Sequence, residues 1–317
     1  MPTISIILCT HNRSRDLRET LHSLAQVERP QYMEVETLIV DNASTDDTRS
    51  VVEAAMQEIS GLRYIYQNLP SKCQGLNKAL GEAKGDYLVF TDDDLRFPTN
   101  WLTATYSPLW EGKADAVLGG ITIASHLKKN WMTPYFEILM ASTECYENQE
   151  PVELVGANMG FARYVLEKVP QFDTELGPGA LGVGEESLFS KQLQQAGFRV
   201  AGSFDVKVEH HFDPSRLQRS SMIRRFAIQG QATAYRAHHW EHETVGFRHY
   251  RHFAGFIFHL AKWRLLHPKE WMYQKTISLQ EMSLIEGYWF FKQLLLESRR
   301  KRNYEYRGLV KQAHPSL

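Results

Sequence analysis

The sequence predicts an α/β fold in which a mostly parallel central sheet is flanked by helices. Short apolar runs alternate with amphipathic helical patterns over about the first hundred residues, which is typical of successive strand–helix–strand units. Three of the apolar runs end in polar clusters, at residues 10–13, 41–47 and 92–94. Because parallel strands end at the same edge of a sheet, this repetition predicts a ligand-binding cleft at that edge.

The predicted elements follow one another along the N-terminal half. Thr3–Cys9 is a strand, and the helix after it carries leucines at spacings of four and three residues. Val35–Val40 is the second strand and is also followed by a helical pattern, and Arg63–Tyr66 is a short third strand. Residues 72–80 form a loop that runs into a helix, and Tyr87–Phe90 is the fourth strand.

Three consecutive carboxylates, Asp92–Asp94, follow the fourth strand after Thr91. Three acids at one strand end repel one another, so a fold tolerates them best when a cation neutralises them. Oxygen-rich clusters of this kind suit Mg²⁺ or Mn²⁺. The alternative is an acidic turn or a helix N-cap, where Asp is favoured for a structural reason.

The segment after the first strand limits the kinds of nucleotide site. No G-x-G-x-x-G fingerprint of dinucleotide binding follows that strand, and the sequence has no G-x-x-x-x-G-K-[ST] P-loop. Thr10–Arg13 also lacks the glycines with which a nucleotidyltransferase would wrap a triphosphate. What remains is a nucleotide whose phosphates are held mainly by a metal.

Four motifs in this order resemble the family 2 glycosyltransferases. They are residues 4–13 (ISIILCTHNR), residues 38–46 (LIVDNASTD), residues 75–80 (GLNKAL) and the triple Asp, and the resemblance extends over roughly the first two-thirds of the chain. Members of this family are inverting enzymes with the GT-A (nucleotide-diphospho-sugar transferase) fold and use nucleotide-sugar donors. The resemblance therefore implies that fold, with a C-terminal helical appendage in this chain.

The resemblance also implies roles for the polar clusters. It implies that Thr10, His11, Asn12, Arg13 and Asp41 bind the nucleobase. It also implies that Lys72 and Asn77 lie near the nucleotide and Asp93 near the ribose. Asp92 and Asp94 would hold the metal, with Asp94 as the stronger candidate. Asp41 has a structural alternative, because an Asx-turn there would close the second strand.

Two later segments resemble the acceptor half of the family. Gly156, Ala157 and Asn158 begin a segment that lines the cleft, and residues 182–189 match a stretch that usually reads Glu-Asp and opens a helix. In the family the second acid of that pair is the catalytic base, which implies Glu186. Because Glu replaces the usual Asp here, Glu185 stays open as the base, and both acids would also suit the first turn of a helix.

A third metal ligand is expected after the last core strand, where GT-A enzymes often supply a histidine. Residues 210–211 are His-His, and the spacing to residues 214–216 favours His210 over His211. A strand places the two side chains on opposite faces, so only one points into the cleft. An ordinary exposed or hydrogen-bonded histidine is the alternative.

The expected reaction is a one-step displacement at the anomeric carbon, with one carboxylate as general base on the acceptor hydroxyl. A UDP-sugar is the favoured donor, Mn²⁺ or Mg²⁺ the cofactor, and a glycan, a lipid-linked glycan or a small molecule the acceptor. One alternative is a catalytically silent module that binds nucleotide sugars. A metal-dependent nucleotidyltransferase ranks third because the Gly-rich loop is missing.

The composition excludes some classes of partner and compartment. Lys and Arg total 36 against 37 Asp and Glu, so no global charge indicates nucleic-acid binding. The three cysteines form no disulfide or metal-ligand pattern, which fits a reducing cytoplasm. Because the chain starts directly in a strand, we expect no signal peptide and a cytoplasmic location, with peripheral contact at the inner face of a membrane left open.

The domain prediction is a catalytic domain at residues 1–219, with a nucleotide half at about 1–97 and an acceptor half at about 98–219, and a helical region at 220–317. Helices are predicted at 222–236, 250–266 and 279–302, and the apolar run at 253–261 is too short to span a bilayer. Aromatic residues beside the basic cluster Arg299–Arg302 suit anionic lipid headgroups. Packing on the catalytic domain or on a second copy in a homo-oligomer is the alternative.

Overall fold

The computed structural model of the chain describes residues 1–146, 153–273 and 277–312. The chain divides into two compact units. The first comprises Met1–Thr174 and Glu185–Phe212, and the second comprises Glu175–Gly184 and Asp213–Leu317. The division falls a few residues before the predicted boundary at 219, and residues 175–184 group with the C-terminal helices, which was not predicted.

The first unit is built on one sheet with eight strands in the described part of the chain. Its spatial order is β3-β2-β1-β4-β7-β6-β8-β5. The strands are β1 (Thr3–Thr10), β2 (Glu34–Asn42), β3 (Leu62–Gln67), β4 (Tyr87–Thr91), β5 (Leu95–Arg96), β6 (Ala116–Ile123), β7 (Asn158–Ala162) and β8 (Val200–His210).

The sheet is mixed but mostly parallel, as predicted. Strands β1 to β4 pair in parallel, and so do β6 and β8, whereas β7 runs against β4 and β6 and β5 runs against β8. Seven of the eight residues of β1 are buried, as expected for a central strand that is covered on both faces.

Six α-helices lie in the described part of the first unit. The first, α1, begins after the β1 strand and buries Leu17, Leu21 and Leu24 on one face, so the leucine spacing seen in the sequence is the face that packs on the sheet. The six are α1 (Ser14–Leu24), α2 (Thr48–Ala55), α3 (Lys72–Glu82), α4 (Trp101–Trp110), α5 (Pro134–Leu139) and α6 (Glu185–Gln195).

The strand register brings the predicted polar clusters to one edge of the sheet. Thr10 at the end of β1 pairs with Asp41 of β2, and Leu8 pairs with Thr91, the residue before the triple Asp. On the far side of the sheet His210 at the end of β8 pairs with Leu95. The carboxyl ends of β1, β2, β4 and β8 therefore lie together, as the sequence predicted for the first three.

The second unit is helical, with α7 (Arg219–His239), α8 (Phe247–Leu266), α9 (Pro268–Tyr273) and α10 (Leu279–Glu297). Helices α7 and α10 form its core, where Ala234, Ala237 and Leu294 are buried. A Cβ at Gly230 of α7 would clash with the α10 backbone, so glycine lets the two helices approach closely. Among the described helices, none is both long enough and apolar enough to cross a membrane.

Candidate active site

The second and third acids of the triple Asp are buried and held by Arg13. The Arg13 guanidinium donates to Asp93 Oδ1 at 2.6 Å and to Asp94 Oδ2 at 2.8 Å. The Thr10 hydroxyl donates to the other oxygen of Asp93 at 2.7 Å, and the hydroxyl of Thr20 on α1 donates to the Asp93 carbonyl. The loop after β1 is therefore bound to the loop after β4 through charge-assisted hydrogen bonds.

The two acids respond in opposite directions to this environment. Burial raises the pKa of Asp93 to about 7, despite its ion pair with Arg13. Burial alone would also raise the pKa of Asp94, but His210 and Arg13 outweigh burial and hold that pKa well below its usual range. Asp94 is thus the acid of this pair that stays ionised at neutral pH.

His210 rather than His211 faces the acid cluster. The Nε2 atom of His210 lies 3.3 Å from Asp94 Oδ1, and the ring is 3% exposed. Its Nδ1 lies 2.8 Å from the Met140 carbonyl, which can only accept, so Nδ1 carries a proton. His211 turns away and lies 3.1 Å from the exposed carboxylate of Glu209. The spacing argument for His210 is consistent with this placement.

The donor set at Asp94 and His210 fits a divalent cation. Asp94 Oδ1 is buried and makes no hydrogen bond, while the second ring nitrogen of His210 is fixed by a backbone carbonyl, as metal-bound histidines usually are. Within the described ranges, however, no three His, Cys, Asp or Glu side chains are already grouped as a metal site. Mg²⁺ is commonly held by one or two carboxylates together with substrate phosphates, so a site with few protein ligands remains suitable.

The first acid, Asp92, belongs to a second cluster around Lys72. The Lys72 ammonium lies 3.1 Å from Asp92 Oδ1, 3.5 Å from Glu186 Oε1 and 3.9 Å from Glu185 Oε1. Burial alone would lower the pKa of Lys72, but the charges of Asp92, Glu186 and Glu185 raise it well above its usual value. Lys72 is therefore a permanent cation that joins the first Asp of the acid cluster to the predicted base.

The two adjacent glutamates at the start of α6 differ in exposure. The Glu185 side chain is 3% exposed, and its Oε2 atom has no hydrogen-bond partner. Burial, together with the charge of Glu186, raises the pKa of Glu185 to about 8. The Glu186 side chain is 22% exposed and lies against Gly156, where a Cβ would displace its carboxylate. Of the two glutamates, Glu186 is therefore the one whose carboxylate is open to solvent.

Asp41 closes the turn after β2. Its Oδ1 accepts from the Ser44 backbone N–H at 2.8 Å, and its Oδ2 accepts from the Tyr64 hydroxyl at 2.7 Å. The turn that the sequence offered as an alternative is therefore present. Because each carboxylate oxygen can accept more than one hydrogen bond, a nucleotide-binding role for Asp41 stays a prediction.

His11 and Asn12 also bind the turn after β2. His11 Nδ1 lies 2.7 Å from the Asn42 carbonyl, and Asn12 Oδ1 accepts from the Thr45 N–H at 2.7 Å. Asn12 adopts a left-handed conformation with φ of 52°, which Asn tolerates better than most residues. Both side chains are exposed enough to meet a ligand at this edge.

Asn77 binds the backbone of a neighbouring segment. Its amide NH₂ donates to the Phe172 carbonyl at 2.8 Å, and its Oδ1 accepts from the Phe172 N–H at 2.9 Å. This paired arrangement ties α3 to the chain after β7. The position near the nucleotide that the resemblance implies for Asn77 stays a prediction.

Asn158 corrects the prediction that this residue lines the cleft. Its side chain is fully buried, and its Oδ1 accepts from Trp101 Nε1 at 3.0 Å and from the Tyr106 hydroxyl at 2.6 Å. Its NH₂ donates to the Gly120 carbonyl at 2.9 Å. Ala157 is also buried. Strand β7 lies in the interior of the sheet, and all five of its residues are buried.

Several contacts at the site could not be read from spacing in the sequence. Lys72 and Glu186 are far apart in the chain, and Met140 contributes only a backbone carbonyl, which leaves no sequence signal. Tyr64 lies in the predicted third strand, but nothing in the sequence indicated that its hydroxyl reaches Asp41. The sequence also did not indicate that Arg13 pairs with Asp93 and Asp94, and its place at the nucleobase stays a prediction.

The sequence of this chain matches a known protein family. Residues 5–170 match the family described as Glycosyl transferase family 2, which is more than half of the chain. Among curated proteins, "Glycosyltransferase GlyG" of Streptococcus pneumoniae is 30% identical over 118 residues, which cover 37% of this chain and 38% of that relative. The aligned region is thus well under half of that relative's length.

Solved structures of low sequence identity share the fold. "Mannosyltransferase PcManGT from Pyrobaculum calidifontis in complex with GDP-Man and Mn2+" is 18% identical with a TM-score of 0.58, covering 94% of this chain and 87% of that chain. "Crystal structure of S. aureus TarS 1-349 in complex with UDP-GlcNAc" is 18% identical with a TM-score of 0.52, covering 90% and 78%. These likenesses confirm the predicted GT-A fold.

Proposed function

Because this chain belongs to glycosyl transferase family 2, we propose that it transfers a sugar from a nucleoside-diphosphate sugar to an acceptor hydroxyl with inversion at the anomeric carbon. Direct displacement needs one general base and no enzyme nucleophile. The leaving nucleoside diphosphate needs no protonation by a carboxylic acid, so the remaining acids are free for other tasks.

The observation that carries this proposal is the cluster around Lys72. It joins Asp92, at the end of β4, to Glu186, at the start of α6, through one ammonium group at 3.1 Å and 3.5 Å. Direct transfer requires the general base and the groups around the diphosphate to lie within reach of one substrate. Lys72 brings the acid cluster after β4 close to Glu186, although the two are far apart in the sequence.

Glu186 is the proposed base and Glu185 its supporting neighbour. Glu186 is partly exposed, whereas Glu185 is buried with a raised pKa. A base must be within hydrogen-bond reach of the hydroxyl proton that it removes, which favours the exposed carboxylate. Lys72 holds the Glu186 side chain in position, and Gly156 leaves room for its carboxylate.

Asp94 and His210 are the proposed holders of a divalent cation, Mn²⁺ or Mg²⁺, with Asp92 beside them. When bound, the cation would neutralise the charge that develops on the diphosphate leaving group. Arg13 orients Asp93 and Asp94 through its two hydrogen bonds, and it keeps positive charge at the site. Thr10 fixes the second oxygen of Asp93.

A UDP-sugar is the proposed donor, and a glycan, lipid-linked or small-molecule hydroxyl the proposed acceptor. The likeness to TarS, whose structure holds UDP-GlcNAc, supports UDP, and the likeness to the mannosyltransferase with GDP-Man keeps GDP as the second choice. We propose that the nucleobase of the donor is contacted by His11, Asn12 and Asp41, which lie at the ends of β1 and β2.

The test combines binding with product analysis. Sugar conjugates of UDP, GDP and dTDP are screened for Mn²⁺-dependent thermal stabilisation, and the stabilising donors are assayed with glycan, lipid-linked and small acceptors. Release of a nucleoside diphosphate with a transferred sugar is expected. Donor binding without release would identify a silent binding module, and pyrophosphate release from a nucleoside triphosphate would identify a nucleotidyltransferase.

Asp94→Asn tests the cation in the same screen. We expect Mn²⁺-dependent UDP affinity to fall at least about tenfold, because the variant removes the ionised acid of the Asp93–Asp94 pair. Asp205→Asn is the control, since Asp205 is exposed on β8, the strand that carries His210. Unchanged Mn²⁺-dependent affinity in Asp94→Asn would rule out this cation site.

A further inference from the structure

Helix α8 of the second unit leaves large apolar side chains in solvent. Phe247 and Leu265 are each 81% exposed, Phe258 is 62%, Tyr250 is 57% and Ile257 is 46% exposed. Trp263 is the one residue of this helix that is buried. Leu266, the last residue of the helix, is also 65% exposed. Single exposed apolar residues are ordinary, but six on one helix are an unusual surface.

Five of these six residues, Phe247, Tyr250, Ile257, Phe258 and Leu265, form the α8 stripe, and Leu266 lies about 80° outside it. At the α-helical repeat of 3.6 residues they fall within an arc of about 100°. The helix has 20 residues and is therefore about 30 Å long, so the α8 stripe runs along nearly its whole length. A continuous apolar stripe of this kind fits an extended apolar surface better than a small ligand.

The other side of α8 is already occupied. Phe256 and His252 pack on Phe291 of α10, with ring centroids 5.5 Å and 5.6 Å apart, and Phe253 packs on Tyr288 at 5.5 Å. His252 and Phe256 lie on the face opposite the α8 stripe, and Phe253 lies between the two faces. The helix is thus fixed in the second unit by one face and presents the second apolar face outward.

The charge around the α8 stripe has one sign. Arg248, Arg251, Lys262 and Arg264 are all exposed on the helix, and residues 244–269 contain no Asp or Glu. By helical position, Arg251 and Lys262 flank one side of the stripe and Arg264 flanks the other. An apolar face bordered by bases is the pattern of a helix that lies in the interface of an anionic membrane.

We propose that the α8 stripe docks on an anionic lipid surface, with the helix parallel to the membrane plane. The charge pattern favours lipid over a second copy of the chain. A symmetric pair of α8 helices would bring Arg248, Arg251, Lys262 and Arg264 of both copies together with no acid on either helix to pair with them. Anionic headgroups supply that missing charge, and this proposal does not depend on the donor or acceptor of the enzyme.

The test is co-sedimentation of the full chain with vesicles of phosphatidylcholine, with or without phosphatidylglycerol. We expect binding to be at least about tenfold tighter when phosphatidylglycerol is present, because three bases flank the stripe and a fourth, Arg248, lies on the same helix. Raising the salt from 0.1 M to 1 M shortens the screening length from about 10 Å to about 3 Å and should weaken binding several-fold.

Matched variants separate the apolar and the basic contributions. Phe247→Glu and Phe258→Glu should each weaken vesicle binding, whereas Tyr32→Glu should not, although Tyr32 is an aromatic residue of the first unit with the same 81% exposure as Phe247. Arg248→Gln with Arg251→Gln should remove the preference for phosphatidylglycerol. Arg15→Gln with Arg18→Gln, on the exposed side of α1, is the charge control.

Three outcomes would overturn the proposal. One is vesicle binding that Phe258→Glu and Phe247→Glu leave unchanged. Another is a dimer in sedimentation that Phe258→Glu dissociates, which would make the α8 stripe a protein–protein surface. The third is a monomer that binds neither type of vesicle. Because the substituted side chains are exposed, circular dichroism and thermal unfolding should match those of the unmodified chain in every variant.

Discussion

The two units of the chain depart in opposite ways from the usual distribution of charged and apolar residues. The first unit buries the carboxyl groups of Asp93, Asp94 and Glu185 at the edge of its sheet. The second unit exposes Phe247 and Leu265 on a helix with one apolar face already packed. Charged groups are almost never fully buried unless they are paired, and large apolar patches are rarely left in solvent.

This difference indicates where each unit meets a partner. Burying carboxylates next to one another costs free energy, and only part of that cost is offset by Arg13 and Lys72. Exposing the α8 stripe also costs free energy, because its apolar surface stays in water. A polar substrate with its cation would relieve the first cost, and an apolar surface with anionic headgroups would relieve the second.

The largest expected effect is on catalysis in the first unit. Glu186→Gln keeps the shape of the side chain but removes the basic oxygen, so transfer should fall about 10²–10⁴-fold while donor binding persists. Initial rates and donor affinity of the purified variant measure this. Glu186→Asp should be milder, because it keeps the carboxylate at the cost of shorter reach.

Glu185→Gln is the matched control for the buried glutamate. Its raised pKa favours the protonated carboxyl at neutral pH, and glutamine resembles that form in size and polarity. We therefore expect a rate within about tenfold of the unmodified enzyme, far from the loss of a general base. A dead Glu185→Gln beside an active Glu186→Gln would reverse the assignment of the base.

The next largest effect is expected on stability, from replacing the buried Asn158 of the first unit. It tests whether this buried polar group has a structural role rather than a binding role. Asn158→Ala leaves Trp101 Nε1, the Tyr106 hydroxyl and the Gly120 carbonyl without their buried partner, each at about 1–3 kcal/mol. We expect the free energy of unfolding in urea to fall by about 3–5 kcal/mol.

Exposed Asn100 provides the comparison, and Asn100→Ala should change the free energy of unfolding by less than about 0.5 kcal/mol. Donor affinity of folded Asn158→Ala at low temperature should equal that of the unmodified chain. Full stability with weakened donor binding would return Asn158 to the cleft and contradict its structural role.

The smallest effect concerns a polar network in the second unit. Glu175 accepts hydrogen bonds from Lys311 Nζ and from the Asn303 amide at 2.8 Å each, and it pairs with Arg300. Burial alone would raise the pKa of Glu175, but Lys311 and Arg300 lower it to about 2 from an ordinary value of 4.5. Because the folded-state pKa is depressed, Glu175 stabilises the fold above pH 4.5, and this contribution is lost as the pH falls from 4.5 towards 2.

Glu175→Gln should therefore lower the free energy of unfolding by about 1 kcal/mol at pH 7, a value reduced by the partial exposure of the side chain. The difference from the unmodified chain should shrink as the pH falls through that window. Urea unfolding at several pH values measures it, with Glu53→Gln as the control for an exposed pair. A difference that stays constant down to pH 2 would exclude the ionic contribution of Glu175.

Local patterns explain which predictions the structure matched. The leucines of α1, the buried run of β1 and the acids after β4 each depend on neighbours a few residues away, so the α/β class and the polar edge followed from the sequence. Three of the described second-unit helices, α7, α8 and α10, were also expected, with ends that differ by a few residues because helix ends depend on capping contacts, whereas the short α9 was not predicted.

Placement across the fold explains the rest. The sequence does not show whether an asparagine is buried or exposed. Only the packed structure shows that Asn158 binds Trp101 and Tyr106 and that Asn77 binds Phe172. The exposure of the α8 stripe could not be predicted either. Helix α8 is apolar on two faces, and the sequence does not indicate which face packs on α10.

By itself, the sequence determined the α/β class, the edge of the sheet that carries the polar residues and the resemblance to one enzyme family. Spacing and order encode these features, and both are properties of the linear chain. The tertiary structure decided that Lys72 joins Asp92 to Glu186, that His210 faces Asp94, and which glutamate stays exposed. Those contacts join residues far apart in the chain, so they exist only once the sheet has formed. Glu185 and Glu186 have the same chemistry and are adjacent in sequence, so only the fold determines that one is buried and the other exposed.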